Sequence, residues 1–70
     1  MEVFIKEDYI KLDSALKLSN LVSTGGHAKI IIQNGEVKVN GEVCLQRGKK
    51  LRNGDKVEYN NNLFIIKNEN

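Results

Sequence analysis

Thr24-Gly25-Gly26-His27-Ala28-Lys29-Ile30-Ile31-Ile32-Gln33-Asn34-Gly35-Glu36-Val37-Lys38-Val39-Asn40-Gly41 is the stretch whose reading decides the fold. Thr24 is a good N-cap, because its hydroxyl can accept from an amide of the first turn, and it predicts a helix over about Gly25 to Asn34. Gly35 then supplies the left-handed residue that stops it. Ala28, Ile31 and Ile32 stand at i, i+3 and i+4, so the isoleucine run is read as one buried helical face despite its β-branching. From Glu36 to Val39 the period changes to two. Asn40-Gly41 follows, the dipeptide best suited to a two-residue type I′ turn, so the helix is expected to lead into a β-hairpin.

Working outward, Asp13 precedes Ser14-Ala15-Leu16-Lys17-Leu18-Ser19-Asn20-Leu21, and its carboxylate is expected to cap a first helix starting there. Leu12, Ala15, Leu16 and Ser19 fall on one side of that helix and Lys17 nearly opposite, exposed. Glu2 to Glu7 alternates as a short strand at a sheet edge. Downstream, Glu42-Val43-Cys44 is the return strand of the hairpin, and Gln46-Arg47-Gly48-Lys49-Lys50 reads as an exposed loop. Arg52-Asn53-Gly54-Asp55 is a turn before the strand Lys56–Tyr59, and the Asn60-Asn61-Asn62 turn leads to a last strand over 63–67. Asn68-Glu69-Asn70 is expected to fray. The predicted order is β, α, α, β, β, β, β, an α+β fold in which two small helices pack on a mainly antiparallel sheet of four to five short strands. Residues 1–70 form a single domain, with the core of the pattern at about 11–57.

Seventy residues, 40% of them hydrophobic, with no proline and no tryptophan, support one thin core and no deep enclosed catalytic cavity, so a non-enzyme is expected. The single cysteine, Cys44, excludes an internal disulfide, and with one histidine it cannot build a closed zinc site. No window approaches the roughly 18 apolar residues of a membrane span, and residues 1–6 lack the features of a secretion signal, so the expectation is a cytoplasmic protein without a membrane partner. The net charge of +2 conceals an asymmetry. Between Lys11 and Lys56, nine cations face four carboxylates, a surplus of five; outside that window two cations face five carboxylates, a deficit of three. If the two ends pair, one polar surface is basic and another acidic, and a polyanion is expected on the first.

The pieces Lys11-Leu12-Asp13, Thr24-Gly25-Gly26-His27-Ala28-Lys29, Gly35-Glu36-Val37-Lys38-Val39-Asn40-Gly41, Lys50-Leu51 and Gly54-Asp55-Lys56-Val57 together resemble the RNA-binding domain of the ribosomal protein S-four family, the αL motif. The likeness spans about two-thirds of the chain. Its Thr-Gly-Gly-x-Ala-Lys form is similar to the free-standing bacterial members, some of them linked to ribosome maturation. The resemblance implies that structured RNA, ribosomal RNA above all, lies across the N-terminal ends of the two helices and near the loop after the hairpin. It implies no cofactor and no small-molecule substrate. Three positions depart from the commoner pattern: Gly25 and Lys11 stand where many members carry arginine, and Asn20 stands where the first helix often has a basic residue. Arginine offers a planar fork and lysine a point charge, so contacts are expected to differ here.

The residues themselves offer a physical basis for such a site. At the start of the second helix the amides of Gly25, Gly26 and His27 lack intrahelical acceptors, two glycines leave the backbone open, and the helix dipole favours an anion. Together with Thr24, the cations Lys11, Lys17 and Lys29 are expected to take phosphates, and Arg47, Lys49, Lys50 and Arg52 to form a second strip. His27 is read as an exposed polar residue with no carboxylate to orient it for acid–base work. Asp13 and Asp55 are read as a cap and a turn residue, and Cys44 as a small buried hydrophobe on a strand. Phe4, Tyr9, Tyr59 and Phe64 fall on strands or near the chain ends and form no stacking platform, which favours structured over single-stranded RNA. A protein-interaction adaptor that keeps the fold but uses its sheet or acidic terminal surface is the alternative.

Overall fold

In the computed structural model, which describes residues 1–69, the chain runs β1 (Glu2–Ile5), β2 (Ile10–Lys11), α1 (Leu12–Leu18), α2 (Gly25–Gln33), β3 (Val37–Val39), β4 (Glu42–Val43), β5 (Lys50–Leu51), β6 (Lys56–Tyr59) and β7 (Asn62–Asn68). Five strands form one sheet in the order β1-β7-β6-β3-β4. All its neighbours are antiparallel except β1 and β7, which lie parallel with Glu2 opposite Ile65 and Ile5 opposite Asn68. The first and last strands therefore pair, as the charge argument supposed. The expected α+β architecture is found, with the two helices packed on the sheet. A second, two-stranded ladder of β2 and β5 is an element that sequence periodicity could not show, since each of its strands is two residues long.

The second helix and the hairpin after it form for the reasons their residues suggest. Thr24 caps α2 by accepting from the His27 N–H at 3.1 Å. At the other end Gly35 has φ +75°, its N–H donates to Ile32 O and the Glu36 N–H donates to Ile31 O, the paired bonds of a Schellman stop. α1 differs from expectation. It starts one residue before Asp13, with Lys11 in the capping position and no side-chain cap; the Asp13 carboxylate accepts from the neighbouring Ser14 N–H at 2.8 Å. Asp13 thus lies inside the first turn, and the first two amides of the helix find acceptors in a distant loop, as described below. α1 ends at Ser19, whose hydroxyl donates to Leu16 O, and Asn20 follows in the left-handed region at φ +66°.

Both hairpins turn on two residues with positive φ: Asn40-Gly41 joins β3 to β4, and Asn60-Asn61 joins β6 to β7. The first turn is tied to the Arg52–Asp55 turn. Asn40 Nδ2 donates to Asp55 Oδ1 at 3.0 Å, Asn40 Oδ1 accepts from the Lys56 N–H at 2.9 Å, and Asp55 Oδ2 accepts from the Arg52 N–H at 2.7 Å. Asp55 is thus a turn residue, as expected. Cys44 is not the buried strand residue anticipated: it lies just past β4, half-buried, with Sγ 3.6 Å from Gln46 O. Nor do the chain's last described residues fray. Asn68 belongs to β7 and the Glu69 N–H donates to Ile5 O at 2.9 Å, while Asn70 lies outside the described residues.

The core lies between helices and sheet, where Leu12, Ala15, Leu16, Ala28, Ile31 and Ile32 meet Val3, Val37, Val57, Phe64 and Ile66. Phe64 is its largest fully buried side chain. Phe64→Ala is expected to cost about 3–5 kcal/mol, enough to unfold much of so small a domain, read from the urea midpoint. Asp55→Ala removes one hydrogen bond between the turns and one within the Arg52–Asp55 turn and leaves the core intact, so a loss of about 1–2 kcal/mol is expected by the same measurement.

Candidate functional site

The N–H groups at a helix start need acceptors, and the two helices meet this need in opposite ways. In α1 the Leu12 N–H donates to Lys49 O at 2.9 Å and the Asp13 N–H donates to Arg47 O at 3.1 Å. Next to these bonds, β2 pairs with β5, with Lys11 opposite Lys50 and Ile10 opposite Leu51. The loop after the hairpin is therefore stitched to the start of α1 by main-chain bonds. Its side chains remain outside: Lys11, Arg47, Lys49, Lys50 and Arg52 are all exposed, while Leu51 is fully buried and anchors the strip. The first two amides of α1 are thus occupied by the loop's own carbonyls, a pairing that the expected Asp13 cap did not foresee.

At α2 the start is open. The His27 N–H is taken by Thr24 Oγ1, which corrects its expected availability, and the Ala28 N–H donates to Thr24 O. The amides of Gly25 and Gly26 precede the first intrahelical bond and face solvent, both residues being exposed. Lys17, in the last turn of α1, comes to this place: a Cβ at Gly25 would stand 3.9 Å from Lys17 Nζ. The carbonyl end of α1 favours that cation, while the amide end of α2 does not, so the ammonium bridges two helix ends of opposite polarity. Lys29 is exposed one turn after Gly25 on the same side of α2, and its side chain leans toward the helix start.

The structure thus sorts the sequence-selected residues into two groups. Thr24, Gly25, Gly26, His27, Lys17 and Lys29 cluster at the start of α2, and Lys11, Arg47, Lys49, Lys50 and Arg52 cluster around the start of α1. Among the described residues none of these cations forms an ion pair. His27 is exposed, and its side chain has no carboxylate partner among the described residues. No group of three or more His, Cys, Asp or Glu among the described residues is placed to hold a metal, and no helix is long and apolar enough to cross a membrane.

Sequence reasoning missed Tyr9. It sits in the loop between β1 and β2, with Lys50 Nζ 4.8 Å and Arg52 Cζ 5.7 Å from the centre of its ring. Residue 9 comes beside residues 50–52 through the pairing of Ile10-Lys11 with Lys50-Leu51, strands too short for sequence periodicity to show.

Comparison with known proteins adds three findings. The family model described as the S4 domain matches residues 3–67. The chain is 41% identical over 56 residues to a protein of Bacillus subtilis (strain 168) named as a probable ribosome maturation protein, RlbA, covering 80% of this chain and 79% of that one. Its fold matches the crystal structure of the 30S ribosomal protein S4e from Thermoplasma acidophilum with a TM-score of 0.62 and 26% identity, over 83% of this chain. The chain spans about a third of S4e, 31% of its length. A two-stranded stitch, a Schellman-stopped second helix and an Asn-Gly hairpin locked to a Gly-Asp turn are accordingly features of a domain with known relatives, and the chain belongs to the S4 domain family.

Proposed function

We propose that this protein is a non-enzymatic RNA-binding module that docks on structured RNA, ribosomal RNA in particular, and acts in assembly or maturation of a ribosomal particle in the cytoplasm. The observation that carries this reading is the collection of Lys11, Arg47, Lys49, Lys50 and Arg52 around the start of α1, exposed and without acidic partners among the described residues. So many unpaired cations on a chain of net charge +2 suit a polyanion. The open amides of Gly25 and Gly26, with Lys17 beside them and Lys29 one turn on, supply a second place for a phosphate. The kinship with a probable ribosome maturation protein and with a ribosomal protein supports ribosomal RNA as the target.

Recognition of this kind works through backbone and shape. Lysine ammonium groups act as point charges on phosphates, the arginine forks can take two oxygens at once, and a displaced counterion accompanies each neutralised phosphate. No step requires a cofactor, a metal or a small-molecule substrate. One observation favours the adaptor alternative: Phe4, Ile5, Tyr9, Ile10 and Leu18 line an open groove with Glu7 and Glu69 beside it.

Gel-shift titration of ribosomal RNA across a salt series tests the proposal. With roughly three to six phosphates neutralised, log affinity should fall against log salt with a slope of about −2 to −5; binding indifferent to salt would refute the mechanism. The Lys17→Glu/Lys29→Glu variant should bind about tenfold or more weakly at low salt while its thermal transition stays within a degree or two of the native one, since both side chains are exposed. Protein that leaves ribosomal RNA unshifted at low salt yet sediments with one protein partner would establish the adaptor instead.

A further inference from the structure

We propose that Tyr9 is a positioning residue that holds Lys50 and Arg52, with Lys11 beside them, as a clamp for phosphate groups of an RNA backbone; the RNA part of this rests on the function proposed above. Lys50 in β5 and Arg52 just past its end flank the buried Leu51, and both are exposed. There they share one aromatic ring, 38% exposed, at 4.8 and 5.7 Å from its centre, both within the roughly 6 Å over which a ring attracts a cation.

The charges around the ring are arranged against the needs of the free protein. Lys11 stands directly opposite Lys50 in the β2–β5 ladder, a like-charge cross-strand pair that destabilises a sheet. Carboxylates are near in sequence and are not used. Glu7 and Asp8 precede Tyr9, and neither pairs with Lys11, Lys50 or Arg52 among the described residues. Asp55 is committed elsewhere, accepting from the main-chain N–H of Arg52 and from the Asn40 amide, which leaves the guanidinium to the ring. Two cations on a two-residue ladder and a third just past its end, unneutralised from within, match an external anion.

The ring adds order to that charge. Lysine and arginine side chains lose much rotamer freedom when they bind, and contact with Tyr9 removes part of that freedom beforehand. An arginine fork beside a lysine point charge suits adjacent oxygens of phosphate groups. Tyr9 itself touches no phosphate in this scheme.

Inorganic pyrophosphate titrated into the full chain, followed by proton–nitrogen NMR, tests the clamp without RNA. The Arg52 Nε–H and the Lys11 and Lys50 amides should shift in the native and Tyr9→Phe proteins. Tyr9→Leu should need about two- to fivefold more pyrophosphate, the effect of one or two exposed cation–π contacts. Lys50→Gln/Arg52→Gln, which alters only exposed side chains, should abolish the response, and Tyr9→Leu should add nothing in that background. Ribosomal RNA affinity should follow the same order. Equal midpoints for the native and Tyr9→Leu proteins would overturn the clamp, as would a Tyr9→Leu loss that persists undiminished without Lys50 and Arg52. A Tyr9-dependent pyrophosphate response in a protein that leaves ribosomal RNA unshifted would keep the clamp and overturn RNA as its ligand.

Discussion

Two main-chain hydrogen bonds, from Leu12 N–H to Lys49 O and from Asp13 N–H to Arg47 O, determine how this protein presents its charge. A helix start needs acceptors, and a short polar loop with many cations has little apolar surface to order it. Each satisfies the other. The loop's carbonyls turn inward onto the amides of α1, Leu51 drops fully into the core beside them, and the lysines and arginines are left outside. A segment that composition alone would describe as solvated loop becomes a fixed rim of cations around one helix end.

The second helix resolves the same constraint differently, and the difference separates scaffold from site. Thr24 supplies both the side-chain and the main-chain acceptors for His27 and Ala28, and nothing covers the two glycines before them. The capped amides hold the helix. The uncapped ones stay exposed, with Lys17 delivered to their side by the last turn of α1. α1 contributes in two ways: its start is sealed and surrounded by cations, and its end carries a cation to its neighbour.

What the sequence made legible was the set of elements whose cause is local. The Thr24 cap, the Gly35 stop, the period-two run from Glu36 and the Asn40-Gly41 turn each follow from the chemistry of a few adjacent residues, and each is found. Errors arose where a distant partner decides. Asp13 has the right chemistry for a cap, but carbonyls more than thirty residues away accept from the Leu12 and Asp13 amides and the helix starts one residue earlier, which puts Asp13 inside its first turn. Cys44 was placed on a strand because β4 was read one residue too long; its strand ends at Val43. β2 and β5 were invisible because a two-residue strand has no period, and Tyr9 was missed with them. The candidate site was legible as two groups of cations, one with the glycines, and the move of Lys11 from the first group to the second came only from the pairing of residues 10–11 with 50–51.

The three departures from the commoner family pattern acquire physical reasons in this light. Asn20 sits at φ +66°, a backbone that asparagine tolerates far better than arginine or lysine, so the position ends α1 and cannot serve equally as a basic contact. Gly25 leaves room beside Lys17 Nζ, 3.9 Å from where a Cβ would stand; an arginine there would bring a second cation to an ammonium already set against the positive end of a helix. Lys11 faces Lys50 across the ladder. The chain's two arginines, Arg47 and Arg52, both lie on the loop stitched to α1, so under the proposed function bidentate phosphate contacts would come from this rim, with lysine point charges on both helices and open amides at α2 alone.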